Sequence, residues 1–131
     1  MLILDTHIWI WFVSNDKKLN PKHHEQLKII YFEKSLCLSD ISLWEVSMLY
    51  NLKKIQLKSD FSQWLNDALP AGYFKILPIN REIAEIVSKM PDQFTKDPAD
   101  RIIAATAISR NCPLLTYDQK IIDSGLVNIC K

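Results

Sequence analysis

Glycine is nearly missing from this 131-residue chain, which has only Gly72 and Gly125. That excludes glycine-rich phosphate loops, so neither a P-loop nor a Rossmann dinucleotide mechanism has support in the sequence. Cysteine is sparse too. Cys37, Cys112 and Cys130 lie far apart with no C-x-x-C spacing, so we read them as reduced, buried thiols rather than disulfides or a zinc site. A strong charge of either sign is also absent. The formal net charge is +1, so any contact with nucleic acid must come from local patches or bound metal. No apolar run reaches membrane-spanning length, and the Met-Leu-Ile-Leu-Asp start lacks the basic region of a signal peptide. A cytoplasmic protein with no membrane association is the expectation.

What is present is an alternation of short apolar runs with longer helical patterns. Leu2–Leu4, Leu36–Leu38, 75–79, 113–116 and 127–130 are short enough to be buried strands. Helix starts are marked at Asn20-Pro21, running to about Glu33, and at Ser42, running to Lys53. Further starts fall at Ser59, Asn80 and Asp97-Pro98. The alternation predicts one domain over residues 1–131, an α/β layered fold with a mainly parallel sheet. In such folds, groups at the carboxyl ends of the strands converge on one crevice.

Four acids stand where that crevice would form. Asp5 ends the first strand run and Asp118 follows the run Leu114-Leu115-Thr116. Glu45 lies one turn into the helix after the second strand, and Asp100 lies in the first turn of the Asp97-Pro98 helix. Each also has a capping explanation. Ser42-x-x-Glu45 has the form of a capping box, Asp97 is a good N-cap with Asp100 favouring the positive helix end, and Asp118 would cap a short helix. Capping does not require that every capped end meet at one sheet edge. Clustered carboxylates without basic partners repel one another, and a hard divalent cation such as Mg²⁺ or Mn²⁺ removes that penalty. One or two such ions would suit phosphodiester hydrolysis.

Four segments together resemble a known family. Leu-Asp-Thr-His-Ile-Trp-Ile-Trp at 4–11 is similar to the opening of PIN-domain toxins of the VapC type. Leu-Ser-Asp-Ile-Ser-Leu-Trp-Glu-Val at 38–46 resembles the second motif, and Asp-Pro-Ala-Asp-Arg-Ile-Ile-Ala-Ala-Thr-Ala at 97–107 the third. Leu-Leu-Thr-Tyr-Asp at 114–118 resembles the fourth. The resemblance implies a three-layer α/β/α sandwich around the parallel sheet, metal-binding catalytic carboxylates at Asp5, Glu45, Asp100 and Asp118, Mg²⁺ or Mn²⁺ as cofactor, and RNA as substrate. It further implies a homodimer and a cognate antitoxin whose C-terminal segment occupies the active-site groove. Ala99 departs from the family pattern, where an aromatic residue is common.

Around these four, Thr6, Ser42 and Thr116 are placed to orient ligands or metal-bound water, and local turn or cap bonding explains them equally well. Asp97 reads as a cap or a supporting group behind the ligands, and Arg101 as a structural partner of a neighbouring carboxylate. His7 reads as a turn residue, since a metal-activated water needs no histidine. Trp9, Trp11 and Phe12 read as core or dimer packing, with base stacking the lesser alternative. A PIN-fold nucleic-acid-binding or regulatory module without catalysis is the other function open. A receiver module or an Asp-based phosphatase fits poorly, because Asp5-Thr6-His7 is not the D-x-D such a phosphatase needs.

Overall fold

A computed structural model describes residues 1–131. Four parallel strands form its sheet: β1 (Leu2–Leu4), β2 (Leu36–Ser39), β3 (Phe74–Leu77) and β4 (Leu114–Leu115), in spatial order β3-β2-β1-β4. Seven helices surround it: α1 (Thr6–Ser14), α2 (Pro21–Phe32), α3 (Asp40–Asn51), α4 (Phe61–Ala68), α5 (Arg81–Ser88), α6 (Pro98–Arg110) and α7 (Gln119–Ser124).

The two-residue period of the strands divides the core into two layers. Leu2, Leu4, Leu36 and Leu38 face one side, where they pack with Ile8, Trp9 and Ile10 of α1, Leu27 of α2, Val46 of α3 and Trp64 of α4. Ile3, Cys37 and Leu77 face the other side, against Ile103, Ala104 and Ala107 of α6 and Ile121 of α7. Chain order explains which helix goes where. From β1 to β2 to β3 the chain moves one way across the sheet, and from β3 to β4 it crosses back. Right-handed crossovers in opposite directions put their helices on opposite faces. The three-layer sandwich expected from the sequence is therefore what forms.

Several boundaries differ from the sequence reading. Thr6–Ser14 is a helix with no anticipated start: Asp5 is its N-cap, accepting from the Thr6 backbone N–H. The helix after β2 begins at Asp40, and Ser39 rather than Ser42 caps it, accepting from the Ile41 N–H. The next helix is capped by Asp60, one residue beyond Ser59. The run 127–130 forms no strand of its own. Ile129 makes a single parallel bridge to Leu114, with Asn128 and Cys130 bonding to that same residue's backbone.

Scarce glycine shows at the helix ends. Left-handed backbone falls on Asn15, Lys34, Lys53 and Asn111 as well as on the two glycines. Lys53 closes α3: its N–H donates to the Tyr50 carbonyl and the Lys54 N–H to that of Leu49. This is the hydrogen-bonded helix end that glycine ordinarily occupies. Lys53→Gly relieves Cβ strain at φ 58° and loses some of that gain to chain entropy. The expected net is roughly 0.5–1 kcal/mol of added stability, read as a higher urea midpoint at unchanged slope; a lower midpoint would contradict it.

Candidate active site

The crevice lies at the carboxyl ends of β1 and β4, where the chain leaves these neighbouring strands toward opposite faces of the sheet. In open parallel sheets this switch point is where ligands bind. Asp5, His7, Ile8, Trp11, Glu45, Asp97, Asp100, Tyr117 and Asp118 line a cleft of about 420 Å³ there. All four acids singled out in the sequence therefore meet, and Asp97 joins them. Glu45, Asp97 and Asp100 each present a carboxylate oxygen within 4.8 Å of the others, so Asp97 sits closer to the cluster than a remote cap would. Another cleft, of about 480 Å³, is lined by Pro91, Phe94, Lys120, Asp123 and Leu126 among others and gathers no such cluster.

Each acid is held by a local device. Asp5 is only 7% exposed. One of its oxygens accepts from the Thr6 N–H at 2.7 Å and the other from the Thr116 hydroxyl at 2.6 Å, which joins β1 to the end of β4. Thr116 also accepts from the Asp118 N–H at 3.0 Å, so one hydroxyl positions two of the carboxylates. Asp118 caps α7 through the Lys120 N–H, and Asp97 caps α6 through the Ala99 and Asp100 N–H groups. The capping explanations for Asp97 and Asp118 are correct, and they coexist with the cluster.

Ser42 is not the cap expected of it. Fully buried in the first turn of α3, its hydroxyl meets that of Thr6, also fully buried, at 2.9 Å. This contact pins the N-terminus of α1 to that of α3, which fixes Asp5 relative to Glu45. Arg101 also differs from expectation. It donates to the carbonyls of Thr95, Pro91 and Asp92 instead of to a carboxylate. Its role is structural, as a strap on the loop ahead of α6. His7 is exposed at the rim, its ring tilted against that of Trp11 at 5.8 Å.

No lysine or arginine lines the cleft, and the two ion pairs of the chain, Lys28–Glu25 and Arg81–Glu85, lie on exposed helix faces elsewhere. Electrostatics therefore opposes ionisation. Burial raises the Asp5 carboxyl, against the pull of the Thr116 and Thr6 hydrogen bonds. Burial likewise raises Glu45, against the pull of the Thr6 hydroxyl and with the charges of Asp5 and Asp97 adding to it. Asp100 is pushed up to about 8, first by burial and then by Asp5, Asp97 and Asp118. Glu45 Oε1 is buried with no hydrogen-bond partner at all. An orphaned carboxylate oxygen facing an all-oxygen donor set fits a hard divalent cation.

The chain belongs to the PIN domain family, whose model matches residues 2–124. Among relatives, Ribonuclease VapC22 of Mycobacterium tuberculosis is 28% identical over 120 residues, covering 92% of this chain and 88% of that protein. Two solved structures share the fold. VapBC2 from Rickettsia felis, bound to a DNA fragment from its promoter, aligns with a TM-score of 0.74 at 18% identity, covering 98% of this chain and 96% of that one. FitAcB from Neisseria gonorrhoeae aligns at 0.72 and 22% identity, covering 100% and 97%.

The raised carboxyls make the metal-free protein sensitive to pH in a definite direction. Between the ordinary Asp value near 4 and the folded value near 8, Asp100 holds its proton better in the folded state. Stability should then decline as pH rises through that window and level off above it. Thermal melts in EDTA are expected to show that decline, and Asp100→Asn should flatten it. A melting temperature that rises steadily from pH 5 to 8 would rule this out.

Proposed function

We propose that residues 1–131 act as one nuclease domain, a metal-dependent endoribonuclease that serves as the toxin of a toxin–antitoxin pair. The observation that carries this reading is the convergence of Asp5, Glu45, Asp97, Asp100 and Asp118 in a cleft lined by no lysine or arginine. Membership of the PIN family and the kinship with Ribonuclease VapC22 support it.

Asp5, Glu45, Asp100 and Asp118 are the residues that would hold Mg²⁺ or Mn²⁺. When bound, such an ion supplies activation of water and neutralisation of the charge that builds on a phosphodiester. The rest is positioning by the chain. Thr116 holds Asp5 and the Asp118 backbone, the Thr6–Ser42 contact holds α1 against α3, and the Asp97 cap sets the first turn of α6 that carries Asp100. Asp5, buried and doubly bonded, is the most rigidly placed of the four.

Structures of this fold include VapBC and FitAB complexes, which supports an antitoxin as partner here. Exposed apolar side chains on α2 and α3, among them Phe32 at 69% and Trp44 at 49%, support association with that partner and with a second copy of the chain. No helix is long and apolar enough to cross a membrane.

The test is cleavage of a panel of structured RNAs in Mg²⁺, Mn²⁺ or EDTA, beside Asp5→Asn. Cleavage should require the metal and fall more than roughly 100-fold in the variant, beyond the loss typical of an outer-shell change. Metal removal should weaken RNA binding as well. Cleavage that persists in EDTA and in Asp5→Asn would refute the assignment, and an inert protein that still binds RNA would favour a non-catalytic module.

Asp97→Asn separates two roles of one side chain. Asparagine caps helices about as well as aspartate, so the folding midpoint should move by less than ~0.5 kcal/mol. Mg²⁺ affinity, read by calorimetry, should fall roughly 10–100-fold as the negative charge is lost. An unchanged affinity would leave Asp97 a cap and nothing more.

A further inference from the structure

A cleft walled by carboxylates is a poor receptor for a polyanion. Affinity for RNA ordinarily comes from lysine and arginine on its phosphates, and none lines this cleft. Arg101, next to Asp100 in the chain, has its guanidinium committed to three backbone carbonyls. Apart from bound metal, the cleft must hold its substrate through uncharged contacts. The remaining lining residues are His7, Ile8, Trp11 and Tyr117, and three of these carry rings.

The rings form a connected wall. Trp11 lies one helical turn beyond His7 on α1, with centroids 5.8 Å apart, and Tyr117 flanks Trp11 at 5.8 Å. Both Trp11 and Tyr117 are half-buried, each with one side against the core and part of the ring left accessible. Tyr117 is anchored from behind. Its hydroxyl accepts from the Asn20 N–H at 3.1 Å and lies 2.7 Å from His23 Nδ1. Since the hydroxyl accepts from that N–H, its own proton is free to go to Nδ1. The Asn20 side-chain amide also approaches Nδ1, at 3.0 Å, which suits a neutral imidazole with its proton on Nε2. The tyrosine ring is thus locked by groups that lie outside the cleft, which lowers the entropy cost of using it as a surface.

Resting on the nuclease reading above, we propose that Trp11 and Tyr117, with His7 at the rim, are a stacking surface. It would hold an unpaired RNA base beside the carboxylates and so position the adjoining phosphodiester. The ligand class is single-stranded RNA, because a base inside a duplex has no free face to offer. Stacking on rings tolerates any base, so this surface would supply affinity and placement with little sequence preference.

The test uses the full chain in Mg²⁺ with a single-stranded RNA hexanucleotide, and with a strand of the same ribose-phosphate length that carries no bases. Binding is followed by tryptophan fluorescence in a stopped-flow instrument, before turnover accumulates. The base-bearing strand should bind roughly tenfold or more tightly than the abasic one, and quench emission by an amount that disappears in Trp11→Phe. Tyr117→Leu should narrow the gap between the two strands, while Tyr117→Phe, which keeps the ring, should retain most of it. Circular dichroism of all three variants separates a lost surface from a lost fold. Equal affinity for the two strands, or binding of neither, would overturn the stacking surface. Mg²⁺ calorimetry on the same samples distinguishes the two ideas: Mg²⁺ binding with equal strands overturns the surface alone, and absent Mg²⁺ binding overturns the metal-dependent reading.

Discussion

Repulsion among Asp5, Glu45, Asp97, Asp100 and Asp118 is the constraint around which this molecule is arranged. Like charges this close separate or take up protons unless something holds them. Here the holding is done by neutral groups: the Thr116 hydroxyl, backbone N–H groups at helix starts, and the Thr6–Ser42 contact. None of these cancels charge. The fold therefore fixes the positions of the acids without relieving their electrostatics, and leaves that relief to a cation. An arginine in the cleft would have stabilised the metal-free protein and competed with the metal.

Sheet topology makes such a concentration of charge feasible. Asp5 and Asp118 follow the neighbouring strands β1 and β4, while Glu45 rides on the second turn of α3 and Asp100 on the first turn of α6. Helix N-termini carry partial positive charge, and four of the acids sit there: Asp5, Asp97 and Asp118 as N-caps and Asp100 in the first turn of α6. Capping and metal binding are compatible because a carboxylate has two oxygens with spare lone pairs. Asp97 caps from within the cluster, with one oxygen on the α6 backbone and its charge among the other acids.

The acids, the parallel sheet and the Asn20-Pro21, Asn80 and Asp97-Pro98 helix starts were all legible from local sequence, because strand ends, caps and prolines act within a few residues. α1 was not. From Ile8 to Val13 the chain is continuously apolar, with β-branched and aromatic residues, so no polar face reveals the helical period. Only its burial against the sheet on one side and the cleft on the other makes sense of it. Ser39 and Ser42 were indistinguishable as caps by pattern. The choice depends on where β2 stops and on Thr6, 36 residues away in the chain. The Tyr117–His23 contact, across 94 residues, left no local trace.

The Thr116–Asp5 hydrogen bond joins groups 111 residues apart, and β4 is both the last strand and the immediate neighbour of the first. Contacts of such long range form late, once most of the chain has collapsed. While the chain is still being synthesised, Asp5 has no Thr116 to receive and the cleft has no Asp118. A ribosome-bound segment lacking β4 therefore carries an unfinished crevice, whatever helices have already formed. The site is thus complete only when β4 and Asp118, near the far end of the 131 residues, have joined what the first strand began.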